Sequence, residues 1–175
     1  MKNIATCFLF AFLFITGCVK SEFDLPSEDL IDDKRIGGNY YAEDEDGVRT
    51  DSIIEKVPNK IGFYKWIVDI NKKEEYIVKL YRVGDILICS FVLQGNYVFS
   101  KVSISRTQIV CQPLNLEWFK KNRGALAETI DPNWDGFLTS KPEKLKLFFR
   151  LRGDDDDLFS KTRDLHRVGI LNRSP

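Results

Sequence analysis

Beyond Asn39 the chain alternates apolar and polar residues with a period of two, the pattern of strands that bury one face. The alternation predicts strands over 39–43, 52–57, 63–70, 76–83, 86–93, 97–104 and 107–112. It is clearest in the middle, where Tyr76, Val78 and Leu80 share one face and Leu87, Cys89, Phe91 and Leu93 share another. The links between these strands are short and carry turn residues. Gly84-Asp85 predicts a two-residue hairpin loop of type II′, which needs glycine first. Gln94-Gly95-Asn96 predicts a three-residue loop, and 71–74 a polar turn. Strands joined this closely run up and down, so an antiparallel meander is expected.

After Pro113 the period lengthens. Asn115 is placed to cap a short helix reaching Arg123, with Gly124 positioned to stop it. Ser140-Lys141-Pro142-Glu143 has the form of a capping box with proline in the first turn. It opens a helix predicted over 141–152, whose Leu145, Phe148 and Phe149 form one apolar stripe. Asp131-Pro132-Asn133 and Asp135-Gly136 mark turns, 154–157 an acidic loop, and 165–171 a last strand returning to the sheet. The expected fold class is mainly β with some α. A single antiparallel meander over 37–175 curls into a small barrel or half-barrel, and one or two short helices near the C-terminus cover it. Gly38-Asn39-Tyr40, at the head of the first strand, resembles the Gly-x-Trp opening of the lipocalin-like family, with tyrosine in place of tryptophan. The likeness is one of architecture.

The beginning of the chain follows another logic. Met1-Lys2-Asn3 precedes an apolar run from Ile4 to Thr16, then Gly17-Cys18, which is the layout of a secretory signal. The run falls short of the roughly 20 apolar residues a membrane-spanning helix needs, and no second run of that kind follows. Ile15-Thr16-Gly17-Cys18 resembles the bacterial lipobox. That resemblance implies cleavage between Gly17 and Cys18, a diacylglyceryl thioether on the Cys18 sulfur and acylation of the new amine. Two or more acyl chains anchor a protein stably where one does not. Val19, in place of the aspartate associated with inner-membrane retention, implies the outer membrane, facing the periplasm. Residues 18–36, polar and acidic around Pro26, are expected to be a tether, with a short helix after Ser27.

Composition then narrows the chemistry. The 26 acidic residues face 26 basic ones, of which only Lys2 leaves with the signal, so no basic surface predicts nucleic acid as a partner. Aromatics at 13% suit a filled β core. Cys7 leaves with the signal and Cys18 is consumed by lipid, so Cys89 and Cys111 remain. They fall on strands separated by one other, roughly 9–10 Å apart in a sheet, which favours two buried thiols over a disulfide.

A lone histidine, His166, beside Leu165 and Arg167, points to a rim position and not to a catalytic triad. With two scattered cysteines it does not make a zinc site, and no metal or cofactor is expected. Aligned by Gly47, the acidic run Glu43-Asp44-Glu45-Asp46 would put Ala42 and Ile53 at the ends of a calcium loop, so that pattern fails. Asp131 and Asp135 have the spacing of paired carboxylates but also of an Asx turn, the reading favoured here. Tyr40, Tyr64, Trp66 and Tyr81 are candidates to line a ligand cavity or a partner surface, although aromatics at alternating strand positions more often pack a core.

No catalytic set is apparent. The sequence therefore points to a non-enzymatic envelope lipoprotein, held to the membrane through its N-terminal lipid. Its expected role is binding another envelope protein in the manner of an inhibitor or immunity protein. A lipocalin-like carrier of a small apolar ligand is the nearest alternative, and an envelope hydrolase the one from another class.

Overall fold

The computed structural model describes residues 19–43, 46–70, 74–122, 132–133, 137–155, 157–160 and 163–168. The signal, Gly17, Cys18, Gly124, Asp131 and Asp135 lie outside them. The chain is mainly β, and its meander closes on itself. Strands β2 (Gly38–Glu43), β3 (Arg49–Lys56), β4 (Phe63–Asp69), β5 (Glu74–Val83), β6 (Ile86–Leu93), β7 (Asn96–Ile104) and β8 (Gln108–Pro113) pair in chain order. Strand β11 (Arg163–Arg167) joins β8 to β2 and completes an antiparallel eight-stranded barrel. The short strand β1 (Lys20–Ser21) lies outside it. It pairs with the end of β7 that β8 leaves free, and with β10 (Phe137–Leu138), which in turn pairs with β9 (Pro132–Asn133).

Closure has a simple cause. A curled sheet of this size would otherwise expose two rows of unpaired backbone groups, and closing the ring removes both. The alternation then sorts side chains into an inner and an outer set. Tyr40, Ile54, Tyr64, Leu80, Val102, Ile109 and Leu165 make the inner cluster. Tyr81, Val83, Ile86, Ile88 and Phe99, one residue out of phase, make an outer cluster with the helices. Helix α1 (Leu116–Lys121) contributes Trp118 and Phe119, and α2 (Pro142–Arg152) contributes Leu145, Phe148 and Phe149. The barrel thus carries apolar side chains on both faces of β5–β7, which is why β6 reads as a nearly continuous hydrophobic run.

Several boundaries differ from expectation. The β6–β7 loop holds two residues, since Leu93 pairs with Asn96. Gln94 (φ 53°) and Gly95 (φ 82°) both take positive φ, as a type I′ turn requires. Asn115 caps α1 as predicted, its side chain accepting from the Glu117 amide at 3.0 Å, but the helix ends at Lys121. Helix α2 starts at Pro142 with Lys141 in the cap position and no side-chain cap bond, one residue later than a capping box at Ser140 demands. The last strand starts two residues earlier than expected, at Arg163, and ends at Arg167; residues 169–171 lie outside the described residues.

The largest correction concerns residues 19–36. They are no free tether: Val19, Leu25 and Ile36 are buried, and Ser21 is wholly so. From β1 the segment runs along the outside of β5–β7, through a short 3-10 turn (Ser27–Asp29) held by Lys146 of α2. Leu30 bridges to Tyr81, and the Ile31 amide donates to the Leu80 carbonyl at 3.0 Å. The chain then crosses the end of the barrel to reach Gly38. Composition misled here because the acids are paired within the fold, two of them with partners far along the chain. Asp24 accepts from Lys79 and Ser90, and Asp33 from Arg35.

Gly62 shows how tightly this crossing is built. Its φ is +75°, and a Cβ there would lie 2.8 Å from Leu30 Cδ2 and 3.0 Å from the Leu80 carbonyl oxygen. Its amide donates to Asp32 at 2.6 Å. Gly62→Ala is expected to cost about 1–2 kcal/mol from the left-handed backbone alone, plus the displacement of Leu30. Chemical denaturation of the two proteins checks it.

Candidate functional site: the barrel interior

The inner faces of β3–β8 and β11, with Ile36 from the crossing segment, surround a cavity of about 60 Å³. Its wall includes Tyr64, Trp66, Val78, Cys89, Phe91 and Cys111 and is almost wholly apolar. Trp66, Val78, Cys89 and Cys111 point into a closed barrel yet are only half-buried, because the surface they leave free faces this space. A filled barrel would bury them completely. A space of ~10–15 Å³ suffices for one water, but an apolar lining gives a water few partners and tends to stay dry.

One end of the barrel is shut by residues 31–37. Asp33 donates its amide to the Tyr64 hydroxyl at 2.7 Å, and that hydroxyl donates to the Asp33 carbonyl at 3.2 Å. Tyr40 donates its hydroxyl to the Ile36 carbonyl at 2.7 Å. Arg167, on the closing strand β11, reaches over the Tyr40 ring at 5.4 Å and donates to the Gly37 carbonyl at 2.6 Å and the Tyr40 hydroxyl at 3.0 Å. Burial raises the Tyr40 and Tyr64 hydroxyls above the ordinary phenol range. Both therefore stay protonated and donate these bonds at any physiological pH. The cavity is not fully enclosed.

Acid should loosen this closure. The Arg35 guanidinium holds the Asp33 carboxyl below the usual range, and the Gly62 amide does the same for Asp32. A lowered carboxyl stabilises the fold above its unfolded value of about 4 and loses that contribution as pH falls through the lowered value. The crossing segment is thus expected to hold at neutral pH and to loosen below about pH 4. Amide exchange at Gly62 and Ile31 would rise there before exchange in β6 and β7.

Comparison with known protein families, curated proteins and solved structures gives no match.

The site therefore rests on its own geometry. Tyr64 and Trp66 line the cavity, whereas Tyr40 lies in the same interior as part of the closure. Tyr81 points out of the barrel beneath the N-terminal segment, with its hydroxyl held by Asp24. None of the four presents its ring on an exposed outer surface: Tyr40, Tyr64 and Trp66 face the interior, and Tyr81 is covered by the N-terminal segment. Cys89 and Cys111 were missed as wall residues. They are free thiols on β6 and β8, with β7 between them as the strand order predicts. Burial pushes both upward, Cys111 to about 12, so both stay protonated and poorly nucleophilic. His166 sits half-buried on the outer face of β11, its ring 5.2 Å from that of Tyr41. Among the described residues no cluster of three or more His, Cys, Asp and Glu comes together to hold a metal, and no helix is long and apolar enough to cross a membrane.

Proposed function

We propose that this chain is a lipid-anchored envelope protein whose barrel binds a small apolar ligand. The observation that carries this reading is the apolar cavity inside a closed barrel, crossed at one end by residues 31–37 and not fully enclosed. Ligand sites are typically concave, mostly apolar and preformed, and the mouths of β-barrels are a common place for them. The expectation of an inhibitor-like module drew on the anchor, the compact scaffold and the lack of a catalytic set, and the four aromatics that offered a partner surface are turned inward or covered. A space of this volume takes a few carbon atoms, so the ligand is short or leaves its polar end in the mouth.

The address rests on Ile15-Thr16-Gly17-Cys18 at the end of an apolar signal. Two experiments test the whole. Palmitate labelling of growing cells should mark the wild-type protein and leave Cys18→Ser unmarked and released from membranes. Organic extraction of protein purified from its own envelope, followed by mass spectrometry, should yield one apolar compound at near-stoichiometric amount. Extracts that are empty, from protein that also takes up no apolar compound when supplied, would exclude the carrier function.

A further inference from the structure

We propose that the folded N-terminal segment holds the barrel flush against the bilayer, with its β7 side towards the lipid and its β3 side away. The inference rests on lipid anchorage at Cys18. Val19, the next residue, is 1% exposed, within the outer core. Lys20 and Ser21 pair with β7 on one side and β10 on the other, and the Glu22 amide donates to the Leu138 carbonyl at 2.9 Å. Ser21 is fully buried. Asp24 fixes the next turn through Lys79 and Ser90, each at 2.7 Å.

A single peptide unit, about 3.8 Å between Cα atoms, therefore separates the residue that would carry the lipid from the packed domain. A glycerol seated at the headgroup level leaves the domain no slack with which to stand off. Standing off would require β1 to be stripped from β7 and Val19 and Leu25 to be exposed, at a cost of about 1.5–3 kcal/mol for each apolar side chain. The direction follows from the strand order. Counting round the ring, β3 is four strands from β7 in either direction and so lies diametrically across the barrel. With strands about 4.8 Å apart, the far wall stands roughly 15 Å further from the lipid.

The test uses full-length lipidated protein in vesicles of phosphatidylethanolamine and phosphatidylglycerol carrying a headgroup acceptor dye. A donor is attached to Val92→Cys, at the β1–β7 side, or to Asp51→Cys on β3. Palmitate content is measured on the same samples. Energy transfer should be several-fold stronger from position 92 than from 51. A flexible Gly-Ser insertion of about twelve residues between Cys18 and Val19, spanning about 20 Å root-mean-square, should weaken transfer from 92 and erase the difference. Equal transfer from both positions in fully palmitoylated wild-type protein would overturn the flush geometry and leave the anchor intact. Protein that carries no palmitate would overturn the anchor, and this inference with it.

Discussion

Replacing Phe148 by alanine is expected to destabilise the protein by about 3–5 kcal/mol, the cost of removing a fully buried aromatic ring from a core. Phe148 is 0% exposed and lies at the centre of the outer cluster. Its ring centroid is 6.1 Å from Trp118, 5.6 Å from Phe119 and 5.3 Å from Phe149. These rings join α1 to α2, and Phe149 meets Phe99 of β7 at 5.4 Å. The loss is a large part of the 5–15 kcal/mol that typically stabilises a domain. At ~2–4 °C per kcal/mol, the melting temperature should fall by roughly 10 °C. Thermal unfolding followed by circular dichroism checks it. Because the cluster is outside the barrel, the inner cavity should keep its shape below the transition.

Asp24→Ala is the second large effect. The Asp24 carboxylate is 11% exposed and accepts from Lys79 Nζ at 2.7 Å, Ser90 Oγ at 2.7 Å and the Leu25 amide at 2.9 Å. The Tyr81 hydroxyl joins it, and burial together with the Asp24 charge drives that phenol strongly upward. Removing the acid strands a lysine ammonium between the rings of Phe63 and Tyr97 and leaves the fully buried Ser90 hydroxyl without its carboxylate acceptor. Breaking a buried pair costs about 3–5 kcal/mol, and the 25% exposure of Lys79 lowers this to about 2–4 kcal/mol. The damage should be local. Proteolysis should find residues 19–30 well before it finds the barrel, whereas Phe148→Ala should sensitise the helices.

How far the sequence revealed this molecule depended on the range of the interactions involved. Period-two alternation located every barrel strand from β2 to β8, because alternation is a local consequence of the pleat. The loop at Gly95 was found in place but one residue too long, and the Gly84-Asp85 hairpin loop followed from its glycine. Closure of the ring did not, since nothing in residues 163–167 announces that they pair with both β8 and β2. The N-terminal segment was misread for a related reason. Asp24, Asp29 and Asp33 look like a solvated run until their partners Lys79, Lys146 and Arg35 are brought beside them, and two of those partners are far away in sequence. The cavity was legible in outline. Tyr64 and Trp66 were singled out by type and spacing, but an apolar residue pointing inward reads the same whether it meets another side chain or empty space. Cys89 and Cys111, small side chains at inward positions, were the signal that the interior is underfilled.

Trp66 offers the most direct measurement, because it sits in the cavity wall. Mature protein is titrated with a short apolar fluorophore that accepts energy from tryptophan, alongside Val102→Phe, which fills the space, and Trp66→Phe. The account predicts saturable quenching of the wild-type emission, loss of binding in Val102→Phe, and undiminished binding with most of the quenching gone in Trp66→Phe. Equal binding by the wild-type and Val102→Phe proteins would place the ligand outside the barrel and contradict it.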